Sequence, residues 1–162
     1  MNDYKIRPAQ SEDAIAIFNL IQELAAYEQL THQVTGTADA LSEHLFGNPT
    51  FAEALVVEHQ KQLIGFALFF KNYSTFLTKP GLYLEDLYVQ EAYRGQGIGK
   101  ALLIAVAQIS QEQGYGRMEW SVLDWNETAI AFYKKMGADI LPDWRICRVT
   151  EASRQPPHKT LG

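Results

Sequence analysis

Apolar and polar residues recur with different periods along the chain, and the changes of period divide it into elements. Residues 4–7 alternate in a way that is typical of a short first strand. Helical spacing of apolar residues follows, and it predicts a helix from an N-cap at Ser11 to about Glu28. A second, shorter helix is predicted from a cap at Thr37 to Gly47.

The middle of the chain is dominated by strand-like runs. Three of them follow one another at 51–59, 62–70 and 82–89. A short polar turn separates the first two, which therefore predict an antiparallel hairpin. Two further strands are predicted later, at 118–123 and 144–150.

Two more helices separate the later strands. One follows the glycine-rich stretch at 95–99 and ends near Gly114, and the other runs from a cap at Asn126 to Gly137. The order is β-α-α-β-β-β-α-β-α-β, in which consecutive strands pair antiparallel and the strand–helix–strand unit from 82 to 123 forms a parallel crossover. We therefore expect an α/β fold (α+β in some schemes), with a mixed, mostly antiparallel central sheet and helices on both faces.

Length and composition fit one soluble domain. The chain has 162 residues, of which 47% are hydrophobic and 20% charged. We predict one domain over residues 1–152 and a polar, flexible tail over 153–162. Neither a signal-peptide pattern nor an apolar run of membrane-spanning length occurs, so a cytoplasmic protein without a membrane partner is expected.

The net charge and the cysteine and histidine residues indicate which ligands and partners the chain could bind. The net charge of −5 argues against nucleic acid and suits a cationic ligand. The single cysteine, Cys147, excludes an internal disulfide, and we predict a buried thiol there rather than a nucleophile. The 4 histidines lack the spacing of metal ligands, so no metal is expected.

The stretch YRGQGIGK, at 93–100, has the composition of a phosphate-binding loop. A P-loop would need a glycine in place of Arg94 and a hydroxyl in place of Ala101. A dinucleotide fingerprint would need a glycine in place of Lys100. Both nucleotide loops are therefore excluded, while a plain strand-to-helix turn stays open.

The same letters fit a different pattern. RGQGIG matches [QR]-x-x-G-x-[GA], the pyrophosphate loop of the GNAT family of N-acetyltransferases, which this chain resembles. Within the family, the similarity is to the diamine (spermidine/spermine) and thialysine acetyltransferases. It is carried by the segments IRPA (6–9), ELAAYE (23–28), LEDLYV (84–89), YRGQGIG (93–99), LDWN (123–126) and FYKKMGA (132–138).

The resemblance implies a fold, a reaction and an assembly. The fold would be the GNAT fold with splayed middle strands, and the cofactor would be acetyl-CoA. The reaction would be direct attack, in a ternary complex, by a primary amine of a small cationic substrate: a polyamine or diamine, or a thialysine- or lysine-like amino acid. A homodimer is also implied.

The resemblance further assigns roles to residues. The implied cofactor-binding residues are Leu87, Tyr88, Val89, Arg94, Gly95, Gln96, Gly97, Ile98, Gly99, Lys100, Asn126, Glu127, Thr128 and Ala129. The implied amine-binding residues are Tyr27, Glu28, Glu85, Glu119, Trp120 and Ser121.

Two residues are implied to be catalytic. Tyr133 would protonate the departing thiolate, because a phenol is neutral near pH 7. Without the resemblance, an aromatic residue beside Phe132 is more often part of a core. Glu85 would take the ammonium proton through water or hold the cation. Because Glu85 and Asp86 are neighbours on a strand, only one of them can face the site.

Two other functions stay open. The chain could be a regulatory module that binds acetyl-CoA without turnover, or it could acetylate an amine of a peptide or protein. The presence of both Tyr133 and Glu85 favours an enzyme over the regulatory module.

Overall fold

The computed structural model describes residues 3–154, without the side chain of Arg154. The chain divides into two compact units, of which the first ends at Leu123 and the second begins at Asp124. The elements of the first unit are β1 (Lys5–Pro8), α1 (Ala14–Tyr27), α2 (Ala38–Phe46), β2 (Glu53–His59), β3 (Gln62–Ser74), β4 (Lys79–Val89), α3 (Ile98–Glu112) and β5 (Met118–Glu119). The second unit contains α4 (Glu127–Lys135). The single domain over 1–152 stays a prediction, and the predicted tail lies, from residue 155 on, outside the described residues.

The first unit is built on one five-stranded sheet. Its strand order is β1-β2-β3-β4-β5, and all neighbours are antiparallel except the parallel pair β4–β5. The turn between β2 and β3 consists of Gln60 and Lys61, whose φ angles are +49° and +65°. Two residues with positive φ match the twist of the flanking strands. The predicted hairpin and parallel crossover are thus confirmed.

Both faces of the sheet are buried. Neighbouring residues of a strand point to opposite faces, and Val56 and Val57 of β2 are both 0% exposed. Val56 packs in a cluster with Ile17 and Leu20 of α1. Helix α3 packs on β2, β3 and β4 and buries Leu102. The predicted mixed sheet with helices on both faces is confirmed.

Strand β4 contains a β-bulge. Leu68 of β3 pairs with Asp86, but the next residue, Phe69, pairs with Leu84, so Glu85 is the extra residue. Leu68 belongs to the cluster beneath α1. The register therefore places Asp86 on the α1 face of the sheet and Leu84 on the opposite face.

Strand β5 is much shorter than predicted. The sequence predicts a strand over 118–123, but only Met118 and Glu119 pair with β4, opposite Leu82 and Tyr83. The pairing stops just before the bulge in β4, and a bulge bends and twists its strand. Among the described residues, no strand pairs with this edge of β4 from Leu84 to Val89.

One predicted helix cap is wrong. A short 3-10 turn precedes α1, and the hydroxyl of Ser11 does not cap it. Asp13 accepts the N–H of Gln10 at 2.7 Å instead. The reason is tertiary, because Arg7 of β1 donates to both oxygens of Asp13, at 2.7 and 3.0 Å, and fixes that carboxylate at the start of the helix.

The other predicted caps are confirmed. Thr37 Oγ1 accepts the N–H of Ala40 at 3.2 Å at the start of α2. In the second unit, Asn126 Oδ1 accepts the N–H of Ala129, also at 3.2 Å. Gly137, just past α4, has a φ of +94°, which is the usual conformation of a glycine after a helix.

The last predicted strand is wrong. In the second unit, residues 144–150 form neither a helix nor a strand. Apolar side chains of this segment are exposed, Trp144 at 79% and Ile146 at 72%. Alternation of apolar and polar residues does not make a strand unless a neighbouring strand pairs with it. The predicted burial of Cys147 is wrong for the same reason, because its thiol is exposed.

Within residues 3–154, no helix is both long and apolar enough to cross a membrane.

Candidate active site

The glycine-rich loop leads from the end of β4 into α3. Gly95 and Gly97 have φ angles of +76° and +80°, which favour glycine, and Gly97 is the N-cap of α3. A Cβ added at either position would meet nothing within 4 Å, and one at Gly99 would meet only Val89 Cγ2 at 4.0 Å. The three glycines therefore leave open space above the start of the helix.

The start of α3 is suited to an anion. The first helical bond runs from the N–H of Ala101 to the carbonyl of Gly97, at 3.0 Å. The N–H groups of residues 98–100 precede that bond, so they lack acceptors within the helix and lie at the positive end of its dipole. Lys100 adds a positive charge. Bare backbone without side chains in the way fits a diphosphate group.

The end of β4 is held in place beside this loop. Arg94 Nε donates to the carbonyl of Val89 at 2.8 Å, and the N–H of Gln90 donates to the carbonyl of Ile64 at 2.9 Å. The unpaired edge of β4, ending at Val89, thus adjoins the start of the loop. Such an edge offers backbone donors and acceptors to an extended ligand.

The guanidinium of Arg94 also lies against two aromatic rings. Its Cζ is 4.7 Å from the ring centroid of Tyr27 at the end of α1 and 5.4 Å from that of Tyr88 in β4. Both distances are within the range of cation–π attraction. The structure therefore joins a predicted cofactor residue, Arg94, to a predicted amine-binding residue, Tyr27.

Glu23 of α1 completes the connection between helix and strand. Its carboxylate accepts from the hydroxyl of Tyr88 at 3.2 Å and from Nε2 of Gln90 at 3.1 Å. Burial, and then the charge of Glu23, raise the pKa of the Tyr88 phenol. The sequence analysis missed Glu23, since an exposed helix glutamate gives no signal of a partner 65 residues away.

Three carboxylates lie near one another in the first unit. Glu85, at the bulge, is exposed. Asp86 is half-buried, and burial raises its pKa to about 7, with further contributions from the charges of Glu85 and Glu28. Burial also raises the pKa of Glu28, which follows the last residue of α1. Two neighbouring acids with raised pKa values, Asp86 and Glu28, are typical of a functional site.

The bulge in β4 affects which of the two neighbouring acids, Glu85 or Asp86, faces α1. The assignment of Glu85 as the acid of the active site stays a prediction. Asp86, which the sequence analysis left aside, is the acid that the register places on the α1 face, where Glu28 also contributes to its electrostatics. No sequence signal identifies it, because the bulge is not visible in the alternation of residues 82–89.

The predicted amine-binding residues around β5 make structural contacts. Glu119 Oε1 pairs with Arg117 Nε at 3.0 Å. The hydroxyl of Ser121 is 2.9 Å from that of Tyr83. Trp120, between them, is half-buried. The side chains of Glu119 and Ser121 therefore already have partners within the first unit.

The second unit carries its predicted residues on α4. Asn126 is buried and caps the helix, and Glu127, Thr128 and Ala129 form its first turn. Tyr133 is half-buried, with its ring centroid 5.4 Å from that of Phe132. The side-chain oxygen of Asn126 thus has a structural role in addition to its predicted role in binding the cofactor.

Residues 3–154 contain no group of three His, Cys, Asp or Glu side chains that could hold an ion.

A comparison with protein families decides the class of the protein. The acetyltransferase (GNAT) family profile matches residues 17–138, which include most of α1, the bulged strand and the glycine loop. This chain belongs to the GNAT acetyltransferase family. The resemblance inferred from the sequence is confirmed, and so is the prediction of an N-acetyltransferase. Enzymes of this family use acetyl-CoA as the acetyl donor.

Similar proteins include amine acetyltransferases. The chain is 35% identical to an L-ornithine N5-acetyltransferase of Arabidopsis thaliana, over 90% of this chain and 84% of the relative. It is 37% identical to a thialysine N-epsilon-acetyltransferase of Mus musculus, over 88% of each chain. Among solved structures, an integron cassette protein of V. cholerae has a TM-score of 0.80 at 21% identity, covering 99% of this chain and 100% of that one. This last similarity concerns the fold alone.

Proposed function

We propose that this GNAT enzyme binds acetyl-CoA and transfers its acetyl group to a primary amine of a small cationic substrate. The observation that carries the proposal is the arrangement of β4. Its end adjoins a loop that fits a diphosphate, and two carboxylates, Glu85 and Asp86, lie only three to four residues before that end. One strand thus brings a cofactor site and an attraction for cations close together.

The cofactor would be held mainly by backbone. The diphosphate fits the N–H groups of the loop from Gly95 to Lys100, and the extended arm fits the unpaired edge of β4 at residues 87–89. Asn126 to Ala129, at the start of α4, are proposed to provide a further contact. Acetyl-CoA supplies a thioester carbonyl that an amine can attack.

The ammonium group of the substrate must lose two protons in the reaction. It loses the first before it attacks, and Glu85 is proposed to accept that proton through water. A C–N bond then forms and the C–S bond breaks. The phenol of Tyr133 is proposed to protonate the thiolate that leaves, and the resulting phenolate is proposed to regain a proton from the newly acylated nitrogen, which thereby loses its second proton. Tyr27, Glu28, Glu119, Trp120 and Ser121 are proposed to line the site of the amine.

The substrate class follows from the acids and from the relatives. Glu28, Glu85 and Asp86 favour a molecule with more than one positive charge. The names of two relatives specify L-ornithine and thialysine, both amino acids with a second amine. We therefore propose a diamino acid or a polyamine or diamine as acceptor. We also propose that the protein is a cytoplasmic homodimer. Sedimentation equilibrium would test whether it forms a dimer.

A thiol-release assay with acetyl-CoA tests the function. Suitable acceptors are L-ornithine, thialysine, lysine, putrescine, spermidine and a peptide amine. A sharper comparison uses 1,5-diaminopentane and 1-aminopentane, which have equal carbon chains and differ in the second amine. We expect turnover of the diamines or diamino acids, and a clearly lower KM for the diaminopentane.

Each alternative function has its own outcome in that assay. Tight binding of acetyl-CoA without turnover of any acceptor would indicate a regulatory module. Preference for the peptide amine would indicate a peptide or protein acetyltransferase. Equal KM values for the two pentane amines would contradict the proposed role of the carboxylates.

A further inference from the structure

Arg94 is the first residue of the glycine-rich loop, but its side chain contacts groups outside the loop. Its Nε donates to the carbonyl of Val89 at 2.8 Å. Its guanidinium lies 4.7 Å from the ring centroid of Tyr27 and 5.4 Å from that of Tyr88. One side chain therefore connects the end of β4, the face of the sheet and the end of α1.

These contacts require the shape of arginine. The guanidinium is planar, so it can lie along an aromatic face while an N–H at its edge donates to a carbonyl. A lysine has the same charge but a compact ammonium without that plane. Contacts of this kind therefore distinguish arginine from lysine at a site where charge alone does not.

Tyr27 is the more exposed of the two aromatic residues that Arg94 contacts. It is the last residue of α1, and 40% of its surface is exposed, so packing holds its ring only in part. Tyr88, by contrast, is 8% exposed and bonds to Glu23, so it gives Arg94 a fixed support. Arg94 lies between a fixed ring and a more exposed one.

We propose that Arg94 is a positioning residue that holds the Tyr27 ring near the end of β4 and thereby sets the affinity for the amine. The inference rests on the proposed function, in which Tyr27 lines the amine site. It assigns to Arg94 a role in amine recognition in addition to its place in the cofactor loop. Loss of the contact should raise the KM for the amine more than the KM for acetyl-CoA.

A double-mutant cycle tests this role. The variants are Arg94→Lys, which keeps the charge, Tyr27→Leu, which removes the aromatic face, and the two combined. Arg94→Lys should raise the amine KM about two- to fivefold, the range expected for an exposed cation–π contact. In the Tyr27→Leu background the same change should have little further effect, whereas with Tyr27→Phe, which keeps the ring, it should have its full effect.

The control is Arg145→Lys, the same chemical change at an exposed residue outside these contacts. It should leave both KM values unchanged. If Arg94→Lys raises the amine KM by the same factor in wild type and in Tyr27→Leu, the proposed positioning is wrong. A larger effect on the KM for acetyl-CoA than on that for the amine would also overturn it.

Urea unfolding of wild type, Arg94→Lys, Tyr27→Leu and the double variant separates this inference from the proposed function. A non-additive effect of the two changes on the free energy of unfolding supports the contact, even if no amine is turned over. Additive effects overturn the contact and the inference with it. Failure of wild type to acetylate any amine would instead overturn the proposed function.

Discussion

Replacement of Asp86 by asparagine should stabilise the protein above neutral pH and have little effect near pH 4. The folded state raises the pKa of this carboxyl from 3.8 to about 7, through burial first and then through the charges of Glu85 and Glu28. Between these two values, the folded state binds a proton that the unfolded chain has released. The free energy of unfolding therefore falls as the pH rises through this window, and this effect is complete above it.

The magnitude follows from the two pKa values. One pKa unit corresponds to about 1.4 kcal/mol, so ionised Asp86 costs the folded state about 4 kcal/mol above pH 7. An amide of the same shape removes the charge but must itself be hydrogen-bonded when buried. We therefore expect Asp86→Asn to raise the free energy of unfolding by about 1–3 kcal/mol at pH 8.

Urea unfolding at a series of pH values between 5 and 8.5 measures this difference. Asp39→Asn, at an exposed position in the first turn of α2, is the matched control for the chemical change. Glu85→Gln provides a second test. Because the charge of Glu85 helps to raise the pKa of Asp86, its removal should move the pH-dependent loss of stability to lower pH.

One result would refute the reasoning. If the difference in stability between wild type and Asp86→Asn is the same at pH 5 and pH 8, the pKa of Asp86 is not raised in the folded state. A loss of stability at pH 8 would show that the ionised carboxylate has a partner whose attraction exceeds the cost of burial.

Three further predictions concern the cofactor and the chemistry. Gly99→Ala should raise the free energy of unfolding by about 0.5–1 kcal/mol, because alanine is favoured over glycine in a helix. The added methyl group should also fill the space above the loop and weaken the binding of acetyl-CoA. An unchanged Kd for acetyl-CoA in calorimetry would contradict this. Gly97→Ala and Gly114→Ala should each lower the free energy of unfolding in urea by about 1–2 kcal/mol, because both glycines have a positive φ. Only Gly97→Ala should also weaken the binding of acetyl-CoA. If the two variants have the same Kd for acetyl-CoA, the diphosphate does not bind at this loop. Tyr133→Phe should lower kcat about 10²- to 10⁴-fold while the Kd for acetyl-CoA is kept, and a near-wild-type kcat would exclude Tyr133 as the acid.

The features that sequence could predict are those decided by neighbouring residues. The caps at Thr37 and Asn126 depend on a side chain and an N–H three residues later. The β2–β3 hairpin depends on two turn residues between alternating strands. The glycine loop follows from letters within residues 93–100. Such features need no knowledge of what packs against them.

The errors occur where a distant residue decides. Ser11 does not cap α1, because Arg7 fixes Asp13 at that helix end. The segment 144–150 alternates like a strand but has no strand partner among the described residues, which leaves Trp144 and Cys147 exposed. In both cases the local pattern does not decide the outcome. For the start of α1 a distant partner, Arg7, is present, and for 144–150 the strand partner that the pattern would need is absent among the described residues.

The bulge at Glu85 shows how such a distant effect reaches the chemistry. Simple alternation would place Leu84 and Asp86 on one face of β4 and Glu85 on the other. The register instead puts Leu84 and Asp86 on opposite faces, because Glu85 is inserted between them. The strand can then bury Leu84 on the face opposite α1 and present Asp86 on the α1 face, where the charge of Glu28 reaches it. A regular strand could not do both, so the bulge also sets the charge of the proposed amine site.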